Sequence, residues 1–313
     1  RDRLRSRGLG DVYKRQKLFG GDTGAGRKPP LHCQNIENDP EENGGRGKRR
    51  MKINRKELQI KGLQKTYRYL HITDTHAGRE KLVWDDITAA ERLTEYVSYA
   101  NAQNLSGVLL TGDIIDNPSA ENLRFLKKCL ETLQVPYLYI PGNHDWGFKD
   151  NYHTESAIRT DWPLLQSFCG GEEILQVKRI GEITWIGIDN SIDMYWPGTA
   201  EKLQEALENP QNDNVIILQH IPFSCGTLEQ ASLHRWGKVL TLGGNLPERG
   251  PCQETEEDCP GKIRDRILQA ENVIALICGH LHVDHRDMLS EKIPQYVSTE
   301  SCFGEAALFE IHG

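Results

Sequence analysis

The 313-residue chain contains no Cys-x-x-Cys pair. Its eight cysteines, at positions 33, 129, 169, 225, 252, 259, 278 and 302, are scattered. That spacing leaves no thiolate motif for a zinc ribbon or a redox centre. Cys129, Cys169 and Cys278 lie in apolar surroundings that suit buried free thiols, so a reducing cytoplasm is the expected compartment. No uncharged apolar stretch reaches the about 18 residues of a membrane span, and no apolar core of signal-peptide length follows Met51. There is no internal repeat of solenoid type.

Basic charge is in deficit over most of the chain. Residues 1–50 hold 13 Lys and Arg against 7 Asp and Glu, which leaves 25 basic and 38 acidic residues in the remaining 263. The basic segment, rich in Gly, Arg, Asn and Pro, has no hydrophobic period and cannot bury enough apolar surface to order itself. Residues 1–50 are therefore read as a non-native or disordered leader: residues 1–16 resemble translated adaptor sequence, and the native protein is expected to begin at Met51, the first Met. Upstream peptides in native material would overturn that expectation in favour of a disordered basic arm. Residues 51–313 are read as one domain.

Five short motifs are present in this order: Asp74-Thr75-His76, Gly112-Asp113-Ile114-Ile115-Asp116, Gly142-Asn143-His144-Asp145, a lone His220, and Gly279-His280-Leu281-His282. Most directly follow an apolar run of strand length, at 67–73, 107–111, 136–140, 215–219 and 273–278. In open α/β sheets, ligands collect beyond the carboxyl ends of the strands, so the motifs are expected on one rim. Apolar periodicity predicts helices at 85–101 and 122–133, and a further helix is expected at 199–207. Further strands are expected at 174–177, 183–188, 295–298 and 306–311. Met51-Lys52-Ile53-Asn54-Arg55-Lys56 reads as the start of mixed polar sequence. The stretch after His220, through Gly261, reads as a long irregular segment, and residues 223–261 are a candidate lid or specificity loop, with a passive surface insertion or dimer contact as the alternative.

The residue types in the motifs carry a chemistry. An Asp and a His two apart at a strand end are expected to project to the same side, as are His280 and His282 in an extended segment. Asp113 has two oxygens with which to bridge two cations; Asn143 offers a carbonyl oxygen, and His220, His280 and His282 offer imidazoles. This mixed N/O set without thiolate suits Mn²⁺, Fe or Zn²⁺. Two such ions about 3.5 to 4 Å apart generate a hydroxide near neutral pH and clamp both oxygens of a phosphoryl displacement. Singly, each piece has a plainer reading: Gly-Asp as a turn, Gly142-Asn143-His144-Asp145 as a turn and helix cap, His220 as a satisfied structural histidine. Jointly, in this order at strand ends, they point to hydrolysis of a phosphate ester. His71, His153, His234, His285 and His312 are read as structural or surface residues.

The ordered motifs resemble those of the calcineurin-like metallophosphoesterase superfamily over residues 67–311. The resemblance implies a four-layer α/β/β/α sandwich with a dinuclear metal site at the strand ends. It implies Asp74, His76 and His282 on a first metal, Asn143, His220 and His280 on a second, and Asp113 between them. His144 would act as general acid or hydrogen-bond donor to the leaving group, oriented by Asp116. Asn117-Pro118 and Asp145 differ from the Arg-Gly and Glu of the Ser/Thr protein phosphatases. Asp116 stands where purple acid phosphatases have a ligating Tyr, and His144 where lipid A precursor hydrolases have Arg. What remains resembles the bacterial group of cyclic-nucleotide phosphodiesterases and assorted phosphatases.

The acidic balance of residues 51–313, without a basic cluster near the motifs, disfavours long nucleic acid. The expected substrate is a small phosphorylated molecule, monoester or diester, at no membrane. A DNA nuclease of the same superfamily and a non-catalytic scaffold are the alternatives, and the scaffold is disfavoured because no expected ligand is lost. Arg235, Trp236 and His234 are candidate contacts to the organic part of the substrate.

Overall fold

The computed structural model describes residues 51–78, 83–84, 87–146, 164–171, 174–243 and 257–313. The expected leader, His153 and positions 244–256 of the candidate lid lie outside the described residues. Along the chain run β1 (Lys52–Gln59), β2 (Tyr67–Ile72), a hairpin of β3 (Val83–Trp84) and β4 (Ile87–Thr88), α1 (Ala89–Ala102), β5 (Gly107–Thr111), α2 (Ala120–Thr132) and β6 (Tyr137–Ile140). Then follow β7 (Leu175–Ile180), β8 (Ile183–Ile188), α3 (Thr199–Glu208), β9 (Val215–Leu218), α4 (Leu228–Trp236), α5 (Pro260–Gln269), β10 (Val273–Cys278), β11 (His285–Met288), β12 (Pro294–Val297) and β13 (Glu305–His312).

The larger strands form two sheets, ordered β1-β13-β2-β5-β6 and β11-β12-β10-β9-β8-β7. Strands β2, β5 and β6 run parallel, as do β8, β9, β10 and β12. Period-two alternation distributes their side chains among three apolar cores. On β5, Val108 and Leu110 share a core with Leu93 and Tyr96 of α1 and Leu126 of α2. Leu109 points the other way, into a core between the sheets with Tyr69, Leu138, Trp185, Ile216 and Phe309. On β9, Ile216 and Leu218 enter that inter-sheet core, while Ile217 packs with Leu203 of α3 and Ile263 and Ile267 of α5. Three cores separate four layers, the expected α/β/β/α sandwich. The edge strand β6 is protected from the second sheet: Gln176 Nε2 and Lys178 Nζ each donate, at 2.8 Å, to the carbonyls of Tyr139 and Tyr137.

Boundaries differ from expectation for local reasons. Helix α1 starts at Ala89, four residues later than periodicity implied, because Thr88 closes a capping box. Its Oγ1 accepts from the Glu91 amide (3.1 Å), and the Glu91 carboxylate accepts from the Thr88 amide (2.8 Å). Helix α2 starts at Ala120, two residues early, with Ser119 Oγ accepting from the Asn122 amide (3.2 Å). The polar stretch after Met51 is the edge strand β1, paired in parallel with β13. Its exposed side chains hide it from an apolar pattern. The segment after His220 is not wholly irregular, since it contains α4, ended by Gly237 at φ 72°.

Candidate metal centre

Each motif leaves the carboxyl end of a strand: Asp74 after β2, Asp113 after β5, Asn143 after β6, His220 after β9 and His280 after β10. The first three strands belong to one sheet and the last two to the other. All the proposed site residues meet on the rim where both sheets end.

Their donor atoms converge. Asp74, His76 and His282 form one group, Asp113, His220 and His280 a second, and His76, Asp116 and His144 a third, each with its ligating atoms within 4.8 Å of one another. Asp113 Oδ2 lies at the hub, 3.4 Å from His220 Nε2 and 4.0 Å from both His76 Nε2 and His144 Nε2. Asn143 Oδ1 stands 3.1 Å and His280 Nδ1 3.2 Å from His220 Nε2. On the other side, His282 Nε2 is 3.1 Å from Asp74 Oδ1. Asp116 Oδ1 faces His144 Nδ1 at 3.3 Å and His76 Nδ1 at 3.6 Å.

Among the described residues, seven non-glycines have positive φ, and five belong to this set: Asp74 (52°), His76 (48°), Asp113 (53°), His280 (71°) and His282 (54°). The expectation that Asp74 and His76, or His280 and His282, face one way because they alternate along an extended strand is therefore corrected. They sit in left-handed turns, where each residue costs of order 1–3 kcal/mol that the surroundings must offset.

The protonation pattern follows from burial and charge. His220 Nδ1 faces the Thr111 carbonyl at 2.7 Å, so Nδ1 carries the hydrogen and donates it. Nε2 then meets two oxygens, Asp113 Oδ2 and Asn143 Oδ1, and a ring nitrogen of His280. Two of these neighbours are acceptor oxygens, which favours a proton or a metal ion at Nε2. In the metal-free chain a proton serves: burial opposes it, but the Asp113 carboxylate raises the His220 pKa to about 9. Burial and then the His220 charge push His280 down to about 3, leaving its ring neutral. Burial acts to raise the carboxyl pKa of Asp74 and Asp113, but His282 beside Asp74, and His220 and His144 beside Asp113, hold both well below the usual range. The residues fit a divalent metal centre by donor chemistry, since buried imidazoles and carboxylates converge there without a thiolate.

Sequence reasoning missed the groups that hold this arrangement. Asp145 accepts from the amides of Asp113 (2.9 Å), Ile115 (2.9 Å) and Gly142 (2.8 Å), tying the second motif to the third. Its place beside Asn143-His144 was the available signal. Thr73 Oγ1 donates to Asp74 Oδ2 (2.6 Å), which also accepts from the His280 amide (2.9 Å). A Cβ on Gly279 would collide with both side chains. From the candidate lid, Trp236 packs its ring 5.2 Å from that of His282 and donates through Nε1 to the Leu281 carbonyl (2.8 Å). Arg235 pairs with buried Glu300 at 2.7 Å. His234 is exposed. His71 is structural as expected, held between Ser298 Oγ (2.8 Å) and Thr111 Oγ1 (2.6 Å).

The calcineurin-like phosphoesterase family model matches residues 67–284, spanning all five motifs. The chain belongs to this family. It is a phosphoester hydrolase, and family and converging donors together support a divalent metal centre. Among relatives, a probable glycerophosphodiester phosphodiesterase, GpdQ, of Arcobacter nitrofigilis is 27% identical over 224 residues, 68% of this chain and 71% of the relative. A probable cyclic nucleotide phosphodiesterase of Rhodococcus erythropolis is 22% identical over 256 residues, 78% and 74% of the two chains. The purple acid phosphatase PPD1 from yellow lupin (Lupinus luteus) seeds shares the phosphoesterase fold, with a TM-score of 0.51 at 14% identity over 78% of this chain and 45% of that one. Among the described residues, no helix is long and apolar enough to cross a membrane.

Proposed function

We propose that the chain is a dinuclear metal-dependent phosphoesterase that hydrolyses a small phosphodiester or phosphomonoester. The observation that carries this reading is the hub at Asp113 Oδ2, around which imidazoles from both sheets converge. Asp74, His76 and His282 would hold one ion, Asn143, His220 and His280 the other, and Asp113 both. When bound, such ions supply Lewis acidity toward the phosphoryl oxygens and acidify water.

The protein's own groups have separate tasks. The His144 amide donates to Asp113 Oδ1 at 2.7 Å, which fixes the acid relative to the metal bridge. Its Nδ1 faces Asp116, leaving Nε2, on the Asp113 side, to deliver a proton to the leaving-group oxygen. Mn²⁺, Fe and Zn²⁺ all suit the donor set.

The phosphodiesterase names of both relatives favour a diester. The acidic balance of residues 51–313 favours a small substrate over long nucleic acid. Among the described cysteines, those at 129, 169, 225, 259 and 278 are buried thiols outside any disulfide, which supports a reducing compartment. Trp236, the last residue of α4 within the candidate lid segment, would shape the substrate side of His282.

The test is a metal-supplemented screen of bis-p-nitrophenyl phosphate and p-nitrophenyl phosphate, then of glycerophosphodiesters, cyclic nucleotides, nucleotides and sugar phosphates. Turnover of the diester with Mn²⁺ is the expected result, and inactivity across all metals and esters would refute the reading.

A further inference from the structure

Asp189-Asn190-Ser191, the turn that closes β8, belongs to none of the five motifs, yet its residues are 3%, 0% and 1% exposed. Asn190 Oδ1 accepts from the amides of His220 (3.1 Å) and Ile221 (3.0 Å), and its Nδ2 donates to the Ile221 carbonyl (2.8 Å). Next to it, Ser191 Oγ accepts from Trp146 Nε1 (2.8 Å) and donates to Asp189 Oδ1 (2.6 Å). Asp189 also accepts from the Ser191 amide (2.9 Å) and from Trp196 Nε1 (3.1 Å). The turn thus grips His220 with one residue and Trp146 with the next. Trp146 stands three residues beyond Asn143 in the loop leaving β6 of the first sheet, and His220 leaves β9 of the second.

We propose that this turn is a positioning device that registers Asn143 against His220, two of the three ligands assigned to the second metal, which come from opposite sheets. The sheets meet through apolar contacts such as Leu138, Ile140 and Leu218. Apolar packing is non-directional, whereas ligand distances tolerate about ±0.2 Å. Directional hydrogen bonds to both loops supply the missing precision. Burial raises the Asp189 carboxyl pKa to about 6, and the three bonds to it reduce, without cancelling, the cost of placing a carboxylate there. Asn190 and Ser191 touch neither metal nor substrate in this scheme; they act through the backbone of His220 and the loop of Asn143.

The inference rests on the dinuclear reading above, and the test separates the two. Metal-stripped full-length protein is titrated with Mn²⁺ by calorimetry, for the parent and for Asn190→Ala, Ser191→Ala and Ser191→Thr, with melting of each metal-free form alongside. The parent is expected to take up two ions; fewer would overturn the dinuclear reading itself. In Asn190→Ala and Ser191→Ala, second-ion affinity is expected to fall about tenfold to a hundredfold, with the first ion unchanged and turnover restored by excess Mn²⁺. Ser191→Thr, which keeps the hydroxyl, should bind both ions as the parent does. If Asn190→Ala does not fold, the two Ser191 variants decide. Equal weakening of both ions, or unchanged binding of both in a parent-like two-ion background, would overturn the proposal.

Discussion

At the scale of the residue, the site concentrates strain where it concentrates charge. Left-handed backbone at Asp74, His76, Asp113, His280 and His282 turns five side chains inward from strand ends that would otherwise continue past the rim. The residue types were legible in sequence because the motifs spell out the donors. The left-handed turns were not, since positive φ at Asp or His is imposed by tertiary surroundings such as the three amides held by Asp145.

His144 carries the most specific residue-level prediction. His144→Ala is expected to lower kcat by about 10²- to 10⁴-fold while both ions remain, checked by steady-state kinetics alongside metal analysis. His220 sets a pH dependence. Its folded pKa is raised from 6.5 to about 9, so this proton stabilises the metal-free fold fully below pH 6.5 and the contribution is lost as pH rises through 9. A metal ion must displace the same proton. Apparent affinity is therefore expected to climb, by up to about tenfold per pH unit for this one proton, until pH approaches 9. Calorimetry in buffers of different ionisation enthalpy would register the released proton.

At the scale of the element, the buried strands were readable because both of their faces are apolar. Ile183–Ile188, Val215–Leu218 and Val273–Cys278 lie between layers and appear as nearly continuous hydrophobic runs. Strand β1 was invisible for the opposite reason: Lys52, Arg55, Glu57 and Gln59 are exposed at a sheet edge. Helix α4 was hidden by its mixed composition, and its contribution lies at its last residue. Trp236 supports His282 by ring contact and anchors the Leu281 carbonyl. Trp236→Ala is expected to weaken binding of the first ion, the one assigned to Asp74, His76 and His282, by about tenfold or more. Metal titration checks this, with second-ion affinity as the internal control.

At the scale of the whole molecule, each sheet brings part of the centre and neither could hold it alone. Asp74, Asp113 and Asn143 come from one, His220 and His280 from the other. The last strand is part of that framework. β13 lies between β1 and β2 inside the first sheet, beyond the end of the family match at 284. The apolar run 306–311 revealed a strand, but not its interior position, which depends on pairing with residues more than 200 positions earlier. Deleting residues 305–313 would expose two strand edges and part of the inter-sheet core. Loss of cooperative thermal unfolding is expected, and a truncated protein that melts like the parent would show that β13 is dispensable.

In the proposed function, seven residues from two sheets make one two-ion hydrolytic centre. Its most direct test is metal content per chain, measured on the same samples as bis-p-nitrophenyl phosphate turnover while Mn²⁺ is added stepwise to stripped protein. Two ions per chain, with turnover rising as the second equivalent binds and both lost in Asp113→Ala, is the expected result. Full turnover with one ion or none, or two ions held undiminished by Asp113→Ala, would contradict it.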